Sequence, residues 1–240
     1  MRSSESSVEP TSNATSASGG RQGWSSVAVM DPNERNEGRL FYTDLRGHWP
    51  VGSRGRLLAA LPAERRRTLA TPSGARHASL AGIALALAAL REACGREIQP
   101  GELAFPPHGK PVLPGGPDFS ISHSGPWAAC AIVSAGRVGL DVECIVPELP
   151  AALRLVVAET DPVLAAREWA AREAALKVGG DSVRNVADVN VCGASAKLRG
   201  RRLHVTGFDA LAGAAACIVT TVPLASLSPA FIPLRDLAAV

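Results

Sequence analysis

The chain has 240 residues, 46% of them apolar, and a formal net charge of +3 at neutral pH. This length can build one large domain or two small ones with hydrophobic cores, and the apolar content indicates a globular protein. So small a positive charge gives no reason to expect nucleic acid as a partner, although it permits an anionic one.

The cysteine pattern and the lack of a long apolar run favour a cytoplasmic protein. The five cysteines form no C-x-x-C pair and most stand in apolar runs, which is typical of buried, reduced thiols. No uninterrupted apolar run approaches the roughly 18 residues of a membrane span. The N-terminus also lacks the charged-then-apolar layout of a signal peptide. We therefore expect a soluble protein that binds no membrane.

The N-terminal part divides into a tail and a folded half. Residues 1–37 are rich in Ser, Thr, Gly, Asn and Glu, and we expect them to be disordered because they offer too little apolar surface to offset chain entropy. An N-terminal α+β half is expected over residues 38–134. It begins with a short strand near residues 39–42.

Two helices are predicted in this half. The clearer one runs from Gly74 to Cys94, where apolar residues recur at helical spacing. Its opening carries Arg76 and Ser79, and a helix N-terminal turn with a cation and a hydroxyl is a reasonable anion site. A shorter helix begins at Pro62. The arginines that follow Pro62 indicate, on their own, an ordinary solvated helix face.

A loop and two strands complete the N-terminal half. The loop is rich in proline and holds Lys110 on a stiff turn between a glycine and a proline. Strands are predicted over residues 118–122 and 127–134, separated by a Ser-Gly-Pro turn.

The strand predicted over residues 138–143 carries the most informative pattern. Its apolar residues recur at period two, which places Asp141 and Glu143 together on the opposite face. The helix predicted from Pro162 to Val178 then places three residues at four-residue spacing, and so on one side. Those residues are Trp169, Glu173 and Lys177.

Three carboxylates directed into one cleft repel each other unless a cation lies among them. Mg²⁺ suits such a set, because that ion takes a few carboxylates together with waters and substrate phosphates. Beyond the helix, strands are predicted over residues 189–192, 203–208 and 215–222. We therefore expect a C-terminal half over residues 135–223 and a weakly patterned C-terminal tail over residues 224–240.

Four short motifs, in this order along the chain, carry a resemblance to a known family. They are Gly109–Pro111 (GKP), Phe119–Ser124 (FSISHS), Gly139–Glu143 (GLDVE) and Trp169–Lys177 (WAAREAALK). Together they resemble the signature motifs of the 4′-phosphopantetheinyl transferases of the Sfp type, over about residues 39–222. Four ordered motifs are more specific than any one alone.

The resemblance implies a fold and an activity. The fold is α+β, with two similar α/β halves in a pseudo-twofold arrangement and the active site in the cleft between them. The activity is transfer of 4′-phosphopantetheine from coenzyme A to a serine of an apo acyl or peptidyl carrier protein, with release of 3′,5′-ADP. The carrier protein would belong to polyketide or nonribosomal peptide synthesis. The resemblance further implies that Mg²⁺ is the cofactor and that the enzyme works as a monomer.

The resemblance also implies roles for individual residues. The metal ligands are Asp141, Glu143 and Glu173. The catalytic residues are Glu173, as the base for the acceptor serine, with Lys177 and His123. The coenzyme A-binding residues are Arg65, Arg66, Arg76, Ser79, Lys110, Ser122, His123 and Lys177.

The chain departs from the family pattern in three places. Ser120 stands where asparagine is common, Arg172 replaces the usual lysine, and the segment over residues 144–168 is short. Because that segment helps to receive the carrier protein in relatives, acceptor preference is the least secure implication. Two other functions stay open at this point: a non-catalytic coenzyme A-binding module, and a metal-dependent phosphohydrolase that uses water as acceptor.

Overall fold

The computed structural model describes residues 36–70, 74–148, 150–151, 153–180 and 183–239. Of the predicted tail over residues 1–37, only Asn36 and Glu37 are described, and the remainder lies outside the described residues. Within these ranges the chain is a mixed α and β protein with two sheets.

The first sheet has the strand order β2-β3-β1-β9. Its strands are β1 (Glu37–Asp44), β2 (Phe119–Ser124), β3 (Trp127–Val133) and β9 (Ser226–Phe231). All neighbours are antiparallel except β1 and β9, which run parallel.

Three helices accompany this sheet. They are α1 (Ser53–Ala60), α2 (Ala63–Thr68) and α3 (Gly74–Cys94). Helix α3 has the predicted bounds and packs its leucines and alanines against Phe41, Cys130 and Ile132 of the sheet. Glycine at position 82 permits a close approach, because a Cβ there would lie 2.4 Å from Cγ2 of Ile121.

Helix α3 is long and apolar enough to cross a membrane by length and composition, although 67% of its most apolar window is buried inside the structure. Its apolar character is therefore explained by its place between the first sheet and the elements that cover it.

The second sheet has the strand order β4-β8-β7-β6-β5 and is antiparallel throughout. Its strands are β4 (Val138–Cys144), β5 (Val189–Cys192), β6 (Ser195–Leu198), β7 (Arg201–Phe208) and β8 (Ala214–Thr220). Helix α4 (Pro162–Gly179) covers one face.

Sequence signals define both ends of α4. The Asp161 carboxylate accepts hydrogen bonds from the backbone N–H groups of Val163 and Leu164, and Pro162 occupies the first helical position. At the other end Gly180 takes the left-handed conformation, with φ of 76°. The predicted start at Pro162 is confirmed, and the helix extends one residue past the predicted end.

Strand β4 is buried on both faces along most of its length. Val138, Leu140 and Val142 pack into a core that is shared with the first sheet. The other face meets α4 so closely that a Cβ at Gly139 would lie 1.9 Å from the Ala174 carbonyl oxygen. Glycine at this position therefore brings α4 down onto the face of β4 that carries Asp141 and Glu143.

The edge of β4 that does not pair with β8 is covered by side chains of the β2 segment. Along this edge, alternate backbone N–H groups of β4 donate to carboxylate or hydroxyl oxygens at alternate positions of residues 118–124. The donor–acceptor pairs are Val138 with Asp118 (2.7 Å), Leu140 with Ser120 (3.0 Å), Val142 with Ser122 (3.3 Å) and Cys144 with Ser124 (3.1 Å). We call this set the side-chain ladder. It satisfies backbone donors that burial would otherwise leave unpaired.

The segment predicted as a C-terminal tail is part of the first sheet instead. Strand β9 pairs with β1 in parallel, and Leu234 and Leu237 lie in the core beneath α3. The pattern of this segment is weak because Pro229 interrupts it and because the strand lies at a sheet edge, where proline is tolerated. The structure also contains α1 and β6, for which the sequence analysis has no counterpart.

The close contact at Gly139 generates a prediction. The variant Gly139→Ala is expected to lower the free energy of unfolding by about 1–3 kcal/mol, as overpacked core sites do, because the new methyl group displaces the Ala174 carbonyl. Urea denaturation measures this loss.

The matched control is Gly207→Ala in β7, another strand glycine, whose added Cβ would meet no heavy atom within 4 Å. Its free energy of unfolding is expected to stay nearly unchanged. Equal losses for the two variants would contradict the close-approach explanation.

Candidate active-site cleft

A cleft of about 510 Å³ opens between the two sheets. Helices α2, α3 and α4, strands β2 and β4, and the loop before β2 contribute to its lining. The lining includes nine of the eleven residues predicted from the sequence to form the site: Arg65, Ser79, Lys110, Ser122, His123, Asp141, Glu143, Glu173 and Lys177.

The three predicted metal ligands lie together in this cleft. Asp141, Glu143 and Glu173 each offer a carboxylate oxygen within 4.8 Å of the others. Asp141 is 2% exposed, and the two glutamates are half-buried. Period two on β4 supplies the first two carboxylates, and the close packing of α4 brings the third.

The two oxygens of Asp141 have different environments. Oδ1 accepts hydrogen bonds from Lys177 Nζ at 2.6 Å and from Ser122 Oγ at 2.8 Å. Oδ2 is buried, and no described residue donates a hydrogen bond to it. A buried carboxylate oxygen without a donor is costly unless a proton or a cation approaches it.

The pKa values of the two glutamates reflect burial and the repulsion between the carboxylates. Burial and the neighbouring Asp141 charge raise the pKa of Glu143 from its usual 4.5 to about 7. The same two causes raise the pKa of Glu173 to about 7. Carboxylates this close favour shared protons or a bound cation over full ionisation.

This oxygen set has the chemistry of a site for a hard divalent cation. Carboxylate oxygens from three residues within 4.8 Å of one another are ligands of the type that Mg²⁺ prefers. The Asp141 oxygen that lacks a donor among the described residues is the specific feature that a cation would satisfy.

Lys177 is held within the site. Its Nζ donates to the Asp141 carboxylate, to Ser122 Oγ at 3.2 Å and to the Leu140 carbonyl at 2.9 Å. An ammonium group has three N–H donors, so these contacts use all of them. The geometry favours a lysine that holds the Asp141 side chain in place, rather than one that reaches a phosphate directly.

Trp169 has a function that the sequence analysis does not assign to it. It is mostly buried as a helix anchor, and its indole Nε1 also donates to Glu143 Oε1 at 3.0 Å. The four-residue spacing of Trp169, Glu173 and Lys177 therefore places all three against β4. The spacing indicates that Trp169 lies on the same side of the helix as Glu173, but it does not indicate the hydrogen bond from its indole to Glu143.

Cationic and hydroxyl groups lie near the carboxylate cluster in the cleft. Arg65 is half-buried above the Phe105 ring, with its guanidinium carbon 5.2 Å from the ring centroid, and burial lowers the pKa of Arg65. Ser79 on α3 also lines the cleft. Burial and the Lys177 charge lower the pKa of His123, so His123 is mainly neutral near pH 7.

Two of the predicted coenzyme A-binding residues lie outside the cleft lining. Arg66 donates to the carbonyl oxygens of Ala59 and Leu61 at the end of α1. Arg76 lines a different cavity, of about 690 Å³, beside Trp49. For Arg66 helical spacing is the reason, because it adjoins Arg65 on α2 and adjacent helical residues project in different directions.

Arg172, which replaces the usual lysine of its motif, has a structural role. Its guanidinium donates to Glu168, one turn earlier, at 2.6 and 2.9 Å. It also donates to the Val189 carbonyl. These contacts tie α4 to β5 on the side away from the cleft.

Part of the chain is similar in sequence to a known protein. A protein of Bacillus subtilis named 4′-phosphopantetheinyl transferase is 37% identical over 104 residues, which cover 40% of this chain and 45% of that protein. The matched region thus spans less than half the length of the relative. No protein-family model matches the chain. Over this region the chain is therefore similar to a protein named as a phosphopantetheinyl transferase.

The raised pKa values generate a prediction about pH. The folded protein holds protons on Glu143 and Glu173 that the unfolded chain releases, so the free energy of unfolding of metal-free protein is expected to fall as the pH rises from about 4.5 to about 7. Mg²⁺ binds the deprotonated carboxylates, so the rise in Tm on adding Mg²⁺ is expected to be larger near pH 8 than near pH 5. Calorimetry with chelator and with Mg²⁺ measures both effects.

The control is the double variant Glu143→Gln/Glu173→Gln, which keeps the shape of both side chains and removes their titration. Its metal-free stability is expected to vary less over this pH range, and its Tm is expected not to respond to Mg²⁺. A wild-type Mg²⁺ effect that is independent of pH would contradict the assignment of these carboxylates as ligands.

Proposed function

We propose that the protein is an Sfp-type 4′-phosphopantetheinyl transferase. It transfers 4′-phosphopantetheine from coenzyme A to a serine of an apo acyl or peptidyl carrier protein and releases 3′,5′-ADP. The observation that carries the proposal is the acidic cluster of Asp141, Glu143 and Glu173, which shares one cleft with N–H and hydroxyl donors of Arg65, His123 and Ser79. The partial similarity to a protein of that name supports it independently.

These N–H and hydroxyl donors suit a phosphorylated nucleotide. Arg65 and His123 would donate to phosphate oxygens of coenzyme A, since an arginine over an aromatic ring and a neutral imidazole both keep N–H donors available. Ser79 would add a hydroxyl from α3. Arg66 and Arg76 have no part in this proposal, because they lie away from the cleft lining.

The acidic cluster would hold Mg²⁺. Asp141, Glu143 and Glu173 would be its ligands, and the bound ion would supply charge neutralisation for the pyrophosphate of coenzyme A. The chain's own contribution is to hold these oxygens together: Lys177 and Ser122 fix Asp141, and Trp169 fixes Glu143.

The transfer is a phosphoryl substitution. The serine oxygen of the carrier forms a bond to the β-phosphorus of coenzyme A, and the bond from that phosphorus to the bridging anhydride oxygen breaks. 3′,5′-ADP leaves with the electron pair, next to Arg65 and His123. The serine proton passes to Glu173 through a water molecule.

We also propose the arrangement and setting that the resemblance implies. The two sheets, each covered by one long helix, would be the two halves of a pseudo-twofold transferase fold. The chain is long enough to supply both halves, which favours a working monomer. A sequence pI of about 8.8 suits acidic carrier proteins of cytoplasmic polyketide or nonribosomal peptide synthesis.

The decisive experiment incubates the protein with coenzyme A, Mg²⁺ and an apo carrier protein, and measures the carrier mass. A gain of one phosphopantetheine group is expected. Coenzyme A binding without any mass gain would favour a non-catalytic binding module, and coenzyme A cleavage without carrier modification would favour a phosphohydrolase.

The variant Glu173→Gln is expected to lower the transfer rate by at least about 100-fold, because it removes both the base and a ligand charge. Circular dichroism is expected to show an unchanged fold. The matched control is Glu168→Gln on the same helix, whose side chain bonds Arg172 outside the cleft. Its transfer rate is expected to stay close to wild type, and full activity of Glu173→Gln would remove Glu173 from the mechanism.

A further inference from the structure

Lys110 and Asp118 form a buried ion pair at one end of the cleft. Lys110 Nζ lies 2.5 Å from Asp118 Oδ2, and the two side chains are 6% and 20% exposed. The family resemblance implies that Lys110 binds coenzyme A, and it implies no role for Asp118.

Both members of the pair bind the same residue of β4. Asp118 Oδ2 accepts the backbone N–H of Val138 at 2.7 Å. Lys110 Nζ donates to the Val138 carbonyl oxygen at 2.6 Å. The two polar backbone groups of the first residue of β4 are therefore held by one ion pair.

We propose that Lys110 and Asp118 are positioning residues, which fix the register of β4 and so place Asp141 and Glu143 in the cleft. In this role Lys110 does not bind the phosphates of coenzyme A. The inference rests on the proposed function, because it assigns these residues a part in the same site.

The energetics of burial favour a positional role. Burial lowers the pKa of Lys110, because a buried ammonium group gives up favourable hydration. Buried ion pairs add little net stability, since desolvation offsets much of the attraction, although breaking one is strongly destabilising. What this pair does supply is a set of directional hydrogen bonds to the backbone of Val138, which are made only when β4 is in the observed register.

The register of β4 decides whether the acidic cluster exists. A slip of one residue would turn Asp141 and Glu143 to the opposite face. A slip of two residues would move each carboxylate by about 6–7 Å along the strand, which exceeds the 4.8 Å span of the cluster. The ion pair is the charged contact of the side-chain ladder, and the other three ladder positions are serines.

Lys110 also has little capacity left for a ligand. The residue as a whole is 9% exposed, and two of the three N–H donors of its side chain are directed at Asp118 and the Val138 carbonyl. Only one N–H donor therefore remains for a phosphate, and turning the ammonium group further towards one would break the pair and leave a carboxylate uncompensated beside the β4 backbone.

The test compares Asp118→Asn, Lys110→Met and the double variant Lys110→Met/Asp118→Leu, which leaves no unpaired buried charge if a single variant fails to fold. Amide hydrogen exchange is measured under native conditions, well below the melting temperature. We expect exchange of the Leu140 and Val142 amides to accelerate by about tenfold or more relative to amides of β3 and β7.

Two controls distinguish a local effect on the register of β4 from a general loss of stability. Glu102→Gln breaks another ion pair, with Arg96 at 2.8 Å, and is expected to leave β4 exchange unchanged. Leu87→Ala removes core volume beneath the first sheet, and is expected to accelerate exchange broadly rather than in β4 alone. A broad acceleration in the Lys110 and Asp118 variants, without a β4 excess, would overturn the inference.

Kinetics give a second readout on an active transferase. Lys110→Met is expected to lower kcat by about tenfold and to leave the KM for coenzyme A within about twofold. A large rise in that KM with unchanged kcat would make Lys110 a cofactor ligand and would overturn the inference. If the wild-type protein transfers no phosphopantetheine, the proposed function fails, whereas the exchange result still decides the positioning role.

Discussion

The structure depends on the way that β2 covers the free edge of β4. A strand at the edge of a sheet has unpaired N–H groups, and burying them without partners is unfavourable. Here one carboxylate and three hydroxyl groups accept those N–H groups at every second residue. This contact joins the two sheets by side chains rather than by a continuous backbone ladder, and it determines where β4 lies.

The acidic cluster follows from that placement. Asp141 and Glu143 extend from one face of a strand whose edge is fixed by β2, and Glu173 reaches them because glycine at position 139 lets α4 pack closely. The Ser122 hydroxyl takes part in both contacts, since it accepts a hydrogen bond from the Val142 N–H and donates one to Asp141. The same side chain therefore joins the sheets and orients a candidate metal ligand.

Much of this site could be predicted from the sequence, because its signals are local. Period two in β4 and four-residue spacing in α4 are properties of single elements, and they correctly group Asp141, Glu143, Glu173 and Lys177. Contacts between distant elements could not be predicted in the same way. Lys110 pairs with Asp118, and Arg66 turns to α1, because of packing that no periodicity specifies.

One missed feature did leave a signal in the sequence. Asp118, Ser120, Ser122 and Ser124 stand at period two, so a polar face was visible on a strand whose surroundings are apolar. The partner of that face could not be inferred, because a polar face is ordinarily exposed to water. Strand β9 left almost no signal, since an edge strand with a proline has weak alternation.

Strand β9 has a consequence for how the protein is made. It lies beside β1, near the other end of the described chain, so the first sheet is complete only after residues 226–231 have left the ribosome. The second sheet, whose strands all lie between residues 138 and 220, has its full set of strands earlier. The half that is translated first is therefore the half that is completed last, and a nascent chain stalled before residue 226 would present β1 with an open edge.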